Sequence, residues 1–302
     1  HNQSSKIEKL FGYIKFIRHA LWVLRKNKYE KIILLPTQTG ILLYPFIKKT
    51  FFKNYIIDIR DYTAENKKNF YKLQSKIIRD SGLAVITSPG FKNFLPEHEY
   101  LISHNSTSIP NGLIEEYRKI EKKPGKKIVI SCIGGIRFYE QFKRVIECFN
   151  NDDRYLLKFI GNGSEGLKEY CKQNNVRNVE LVGRFDPKKT FDFYMDTDIV
   201  MNLYGNNTPL LDYALSNKLY YAASFGMPIL VCPNTYMEEI SVSNGFGFSF
   251  DLEDSTIKDQ LYEYYYSIVW EKFYSDCDIF MSKVKHENAI FENKVGEFLE
   301  KV

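Results

Sequence analysis

Short apolar runs recur along this chain, and stretches with helical periodicity separate them. The runs that read as buried strands are "KIILL", "NYIIDIRD", "GLAVITS" and "EYLISHNS" before residue 122. After it they are "KIVISCIG", "YLLKFIG", "VELVG", "DIVMNL", "PILVC" and "FGFSF". Apolar residues at 7, 10, 11, 14, 17, 21 and 24 predict a helix over 6–26. Further helices are predicted over 65–80, 139–149, 164–175, 187–195, 217–225 and 235–243. Strands that alternate with helices of about ten residues build βαβ units and parallel sheets, so the fold class is α/β. The stretch "KKPGKK", 122–127, has linker composition. It predicts two doubly wound, Rossmann-like domains, 1–122 and 123–302, with the last helix returning to the first. In such sheets ligands bind outside the carboxyl ends of the strands, here expected in a cleft between the domains.

A chain of 302 residues with 44% hydrophobic and 26% charged residues is globular and long enough for two domains. Its net charge of +5 is divided unevenly. Residues 1–125 carry 22 Lys and Arg against 11 Asp and Glu, whereas 126–302 carry 20 against 26, so +11 and −6 make the total. Such halves predict two domains with different partners. The five cysteines, 132, 148, 171, 232 and 277, form no CxxC pair and read as reduced thiols of a cytoplasmic protein. No apolar run approaches the length of a membrane span. The helix over 6–26 carries Lys6, Lys9, Lys15, Arg18, Arg25 and Lys26 beside its apolar residues. Two readings suit it: contact with an anionic bilayer surface, or packing on a core with a solvated basic face. No nucleic acid partner is expected.

The chemistry should sit in loops that follow strands. "CIGGIRFYE" offers Gly134, Gly135 and Arg137, and "FIGNGSEG" offers Gly161 and Gly163. Neither is a complete GxGxxG or P-loop, so each is a tight turn or a ligand loop. Lys218 opens the helix in "SNKLYYAASF", where the macrodipole disfavours a cation unless an anion also binds there. Arg137 and Lys218 are expected either to clamp a diphosphate or to be surface cations paired with carboxylates such as Glu140. "DTD", 196–198, reads as turn chemistry before a strand, and no HExxH or CxxC…H spacing predicts a metal. His104, in "ISHNS" after a strand, is expected to face the cleft.

Taken in order, "GGIR", "GNGSEG", "NVELVGRFDP", "YMDTDIVMNL", "NKLYYAASFGMPIL" and "NGFGFSFD" resemble the C-terminal domain of retaining GT-B glycosyltransferases of family 4. "IIDIRDYTAE" and "AVITSPGFKNFLP" resemble the acceptor domain of the same family. The resemblance implies a sugar-nucleotide donor of the UDP or GDP type as substrate, with no metal or other cofactor. It further implies a glycan or polyprenyl-diphosphate-linked acceptor and a role in bacterial capsule, lipopolysaccharide or exopolysaccharide synthesis. It marks Gly134, Gly135, Arg137, Gly161, Gly163, Arg184, Asp212, Asn217, Lys218, Leu219 and Glu239 for the donor, with Lys218 and the amides after it facing the diphosphate. Arg60, Asp61 and His104 are marked for catalysis, although Arg60 and Asp61 equally suit a strand-end salt bridge. The chain departs from the family twice. It opens on a helix, so the first βα unit is expected to be shortened or truncated. The family's two glutamates, eight positions apart, fall on Tyr213 and Tyr221, with Asp212 beside the first. These tyrosines are ligand contacts or core aromatics. The alternatives kept open are a degenerate domain that binds a nucleotide or partner without catalysis, and a sugar-nucleotide 2-epimerase.

Overall fold

The computed structural model describes residues 6–35, 37–122 and 125–300. Lys123 and Pro124 of the predicted linker, and the side chains of Lys6 and Lys9, lie outside the described residues. The chain forms two compact units.

The first unit runs to Ser103 and includes the chain from Glu287 onward. It holds α1 (Lys6–Lys26), β1 (Ile32–Leu34), α2 (Thr37–Thr50), β2 (Tyr55–Ile59), α3 (Lys68–Asp80), β3 (Leu83–Ile86) and β4 (Leu101–Ile102). The four strands are all parallel, in the order β1-β2-β3-β4. The central β2 is buried along its whole length, which is why "YIIDI" is nearly continuously apolar. α3 is strongly amphipathic: Ile77 and Ile78 are buried, and the Tyr55 hydroxyl donates to the Ile77 carbonyl at 2.5 Å. Helix α2 was not assigned from the pattern because Pro45 lies inside it. Proline removes one helical donor and reads as a stop, yet Leu43, Tyr44 and Ile47 still bury one face.

The second unit, His104–His286, begins with α4 (Asn111–Arg118). Then follow β5 (Ile128–Ile133), α5 (Tyr139–Phe149), β6 (Tyr155–Ile160), α6 (Lys168–Gln173), β7 (Val179–Val182), α7 (Thr190–Met195) and β8 (Ile199–Asn202). The unit continues with α8 (Pro209–Tyr213), α9 (Asn217–Phe225), β9 (Ile229–Val231), α10 (Tyr236–Ser243), β10 (Gly247–Ser249) and α11 (Ile257–Ser267), and the long α12 (Trp270–Glu300) starts within it. The helices predicted over 164–175 and 187–195 start as 3-10 turns, Ser164–Leu167 and Pro187–Lys189, before α6 and α7. Six parallel strands run β10-β9-β8-β5-β6-β7. Alternate residues feed two cores: Ile130 and Cys132 of β5 pack with Ile199 and Met201 on one face, Ile133 with Val200 on the other. Helices therefore cover both faces, as a doubly wound sheet requires.

The linker composition at 122–127 predicts a boundary at 122/123, whereas the units divide after Ser103. The reason is α4. Tyr117 is fully buried, its hydroxyl donates to the Thr197 carbonyl at 2.8 Å, and the Arg118 fork holds Asp278 at 2.9 and 2.7 Å. In the first unit, the end of α12 is anchored by Phe298 against Gly82 and by Lys31, whose ammonium donates to the Leu299 carbonyl at 3.1 Å.

Candidate functional site

In the second sheet the strand order reverses between β5 and β8. That is the topological switch point, where a doubly wound sheet leaves a crevice at the strands' carboxyl ends. Three loops converge there, after β5, β6 and β8. The β5 and β6 loops are laced together: Gly134 N–H donates to the Ile160 carbonyl at 2.8 Å and Ile136 N–H to the Asn162 carbonyl at 3.0 Å. Gly161 has φ +137°, and a Cβ there would lie 1.8 Å from the Gly134 carbonyl oxygen; at Gly163, φ +97°, it would lie 2.3 Å from the Ile136 carbonyl oxygen. Contact between the two loops thus accounts for both glycines.

The Lys218 ammonium stands beside Gly134, 3.5 Å from where a Cβ on that residue would be. One of the two sequence readings makes this residue a surface cation. Instead the residue is 3% exposed. Its ammonium donates to the Tyr204 hydroxyl and lies 4.9 Å from that ring's centroid. No carboxylate pairs with it among the described residues. Burial pulls the ammonium below the ordinary lysine value, and the Cys132 thiol opposes that shift. The first amides of this helix, expected to face a diphosphate, already have acceptors within the chain. Ser216 caps α9: its hydroxyl accepts from Lys218 N–H at 3.3 Å, and its carbonyl accepts from Leu219 N–H at 3.0 Å.

Arg137 is exposed, and a Cβ on Gly135 would lie 3.3 Å from its Nε. Glu140 bonds Lys143 at 2.7 Å and leaves Arg137 without a carboxylate among the described residues. Gly134, Gly135, Arg137, Gly161, Gly163 and Lys218 are therefore brought together. The other donor-side candidates are placed differently. Leu219 is fully buried in the core, so its side chain is shut away from any ligand. Arg184, Asn217 and Glu239 are exposed, with no recorded contact to Lys218 or Arg137. Asp212 is half-buried, with a buried Oδ1 that has no partner. Beside Glu239, Glu238 is structural: it accepts from Asn234 N–H at 2.6 Å and from the Ser249 hydroxyl. Tyr221 stacks on Tyr194 with centroids 4.5 Å apart and belongs to the core aromatics; Tyr213 is half-buried. In "DTD", Asp196 bonds Lys158, Asp198 accepts from Val129 N–H at 2.9 Å and from Tyr265 at 3.1 Å, and the Thr197 hydroxyl donates to Ser131 at 2.8 Å. These are turn and strand-start contacts. Among the described residues, no group of three or more His, Cys, Asp and Glu could hold a metal ion.

In the first unit, the Arg60 guanidinium donates twice to Asp58 Oδ2, at 3.0 and 2.8 Å, so its strand-end salt bridge is made with Asp58 and not with Asp61. Asp61 is exposed at the same turn; partial loss of solvation pushes its carboxyl up against the opposing charge of Arg60. His104, expected on the acceptor side, belongs to the second unit. It is buried, with Nδ1 2.9 Å from the Tyr220 hydroxyl. The sequence pattern passed over Glu65, which accepts Thr63 N–H at 2.6 Å, Ala64 N–H at 2.8 Å and the Gln74 amide at 2.8 Å, pinning the turn after β2. It also passed over Tyr204, which follows β8 and packs against Phe138 at 5.1 Å. The available signal was a phenol directly before Gly205 at the end of a buried strand.

No family model and no curated protein sequence matches the chain. Solved structures do. Sucrose-phosphate synthase from Thermosynechococcus elongatus is similar with a TM-score of 0.66 at 9% identity, over 97% of this chain and 81% of that one. A glycosyltransferase from Rickettsia africae matches with a TM-score of 0.64 at 11% identity, over 100% of this chain and 84% of that one. Anabaena HepE in complex with UDP matches with a TM-score of 0.65 at 12% identity, over 94% of this chain and 82% of that one. With its two parallel sheets, the chain has the GT-B fold.

Proposed function

We propose that the chain is a glycosyltransferase that moves a sugar from a nucleoside-diphosphate donor, UDP or GDP type, to a glycan or polyprenyl-diphosphate-linked acceptor. The reaction retains anomeric configuration, needs no metal, and serves bacterial capsule, lipopolysaccharide or exopolysaccharide synthesis. The observation that carries this reading is Lys218: a buried ammonium at the switch point with one hydrogen-bond acceptor and no carboxylate. An ammonium has three donors, and a desolvated cation without a counter-ion is costly, so an anionic ligand completes the site. Solved structures of similar fold hold UDP and, in HepE, UDP-glucose. As the anomeric bond breaks, negative charge grows on the leaving diphosphate. Cations at Lys218 and Arg137 stabilise that charge, the buried Lys218 without reorganising. A leaving phosphate oxygen can take the acceptor hydroxyl's proton on the face where the new bond forms, which gives retention.

Titration calorimetry with UDP, GDP and ADP, followed by transfer and hydrolysis assays with UDP- and GDP-sugars, tests the reading. Failure of all three nucleotides to bind refutes it. Binding without turnover on any donor supports the second reading, a domain that binds without transfer. The packing of the partly buried Tyr221 against the core, where the family carries a glutamate, favours that second reading. Arg137→Ala should weaken UDP or GDP binding roughly tenfold, the low end for a charged hydrogen bond at an exposed site. Its melting temperature should not move, since no partner is lost.

The acceptor side of the same reading includes contact with an anionic membrane at the cytoplasmic face. Among the described residues no helix is long and apolar enough to cross a membrane. On α1, Phe11, Ile14 and Trp22 are 67%, 44% and 55% exposed. Their helical spacing interleaves them with exposed Lys15, Arg18, Arg25 and Lys26 on one face, and no acidic residue occurs between 9 and 26. A mixed aromatic and basic face fits an anionic interface. In vesicle sedimentation, phosphatidylglycerol should retain the protein and phosphatidylcholine should not, with binding lost at high salt. Equal retention by both vesicles, or by neither, rules the contact out.

A further inference from the structure

Lys218 is held by a residue that has no part in the reading above. Tyr204 follows β8 at the switch point, and its ring packs on Phe138 at 5.1 Å and Phe142 at 5.9 Å. Its hydroxyl accepts from the Lys218 ammonium, and the Cys132 thiol of β5 is its neighbour. The three groups come from the three elements around the crevice: β5, the β8 loop and α9.

We propose that Tyr204 is the positioning residue of the donor site, its phenol oxygen fixing the Lys218 ammonium where a donor diphosphate binds. The proposal rests on the donor-site reading of Lys218. A lysine side chain has four rotatable carbons, and its charge is useful to a ligand only if its position is set in advance. Here two rigid aromatic neighbours hold the phenol, and the phenol holds the amine. A carboxylate in the same place would neutralise the cation and compete with the ligand. A neutral oxygen supports the ammonium and leaves its charge for an anion.

The titratable groups facing this ammonium are Tyr204, Cys132 and, through Tyr204, the Arg137 charge. Burial raises both the Cys132 thiol and the Tyr204 phenol, the latter well above its ordinary value. Loss of the phenol oxygen lets the amine release its proton at a lower pH. Below that pH the amine is still charged but no longer aimed.

The test is a cycle of Tyr204→Phe, Lys218→Met and the double variant, with UDP affinity measured by calorimetry from pH 7 to 10. Tyr204→Phe should weaken UDP about three- to tenfold at pH 7 and move the alkaline limb of binding down by about one pH unit, the worth of one charged hydrogen bond. In the Lys218→Met background the same change should do nothing further to UDP affinity, because the phenol acts through the amine. Phe138→Leu, which loosens the ring and keeps the hydroxyl, should leave the limb in place. If Tyr204→Phe alone fails to fold while the double variant folds, the phenol's task is again to satisfy Lys218. If Tyr204→Phe keeps wild-type affinity and limb while Lys218→Met loses binding, the proposal is overturned and the donor site stands. If Lys218→Met also binds normally, the donor-site reading itself fails. A double variant that fails to fold, or Tyr204→Phe effects that persist in the Lys218→Met background, make Tyr204 a packing residue and overturn the proposal.

Discussion

Lys218→Met should raise the melting temperature of the free protein and lower its affinity for UDP or GDP by roughly ten- to a hundredfold, the worth of a charged hydrogen bond to phosphate. The two effects have opposite signs because the same burial causes both. Removal of an ammonium from water costs several kcal/mol, and here one phenol oxygen offsets only part of that. Methionine matches the aliphatic stem and removes the charge. A gain of about 1–2 kcal/mol, or roughly 2–4 °C per kcal/mol for a unit of this size, is the expected result. The pH dependence follows with its sign. The folded-state pKa lies below the ordinary lysine value of 10.5. Between the two the unfolded chain binds more protons than the folded one, so the stability of the free protein rises with pH across that window. Affinity for a diphosphate falls across the same window as the amine discharges. Lys218→Met should flatten both slopes. Melts from pH 7 to 10 with and without UDP decide: a lower melting temperature at pH 7 together with unchanged affinity would sink both the buried-cation account and the donor site.

What was legible in the sequence follows from how each signal is encoded. Buried parallel strands are apolar on both faces, so "YIIDI", "IVISCI" and "YLLKFI" announced β2, β5 and β6, and the switch-point loops followed from their order. Lys218 was conspicuous as a charge at an unsuitable place, but its burial depends on Tyr204 and Gly134, which lie 14 and 84 positions away in the chain. Local patterning does not carry such distances. Helix α2 was hidden because Pro45 is a local stop signal that tertiary burial of Leu43, Tyr44 and Ile47 overrides. The unit boundary was misplaced for the same kind of reason. "KKPGKK" has linker composition, but α4 before it packs through Tyr117 into the second unit's core. Leu219 was taken with its neighbour for the donor, whereas adjacent helical residues point about a quarter-turn or more apart, and only Lys218 reaches the crevice.

Gly161→Ala should be the most damaging of the single-methyl changes at the site. At φ +137° an L side chain is strained wherever it points. Here it also points at backbone, with the added carbon 1.8 Å from the Gly134 carbonyl oxygen. A flexible side chain could swing away, but this oxygen cannot. Gly134 is tied back through its own N–H to the Ile160 carbonyl at 2.8 Å, and Gly161 N–H is tied to the Val182 carbonyl at 2.8 Å. The β5 and β6 loops would have to separate, breaking bonds that join β5, β6 and β7 at their carboxyl ends. A loss of about 3 kcal/mol or more is expected, combining backbone strain with overpacking, which lowers the melting temperature by roughly 6–12 °C. UDP affinity should fall with it in whatever fraction still folds, because Gly134 stands beside the Lys218 ammonium and moves first. Gly12→Ala, on the exposed side of α1 with open space around its added carbon, is the matched control. It should stabilise slightly, by about 0.5–1 kcal/mol, through helix propensity. Thermal melts of the two variants side by side give the answer. A Gly161→Ala protein that melts with the wild type and binds UDP equally well would show that the two loops do not lock one another, and the site would lose its rigid floor.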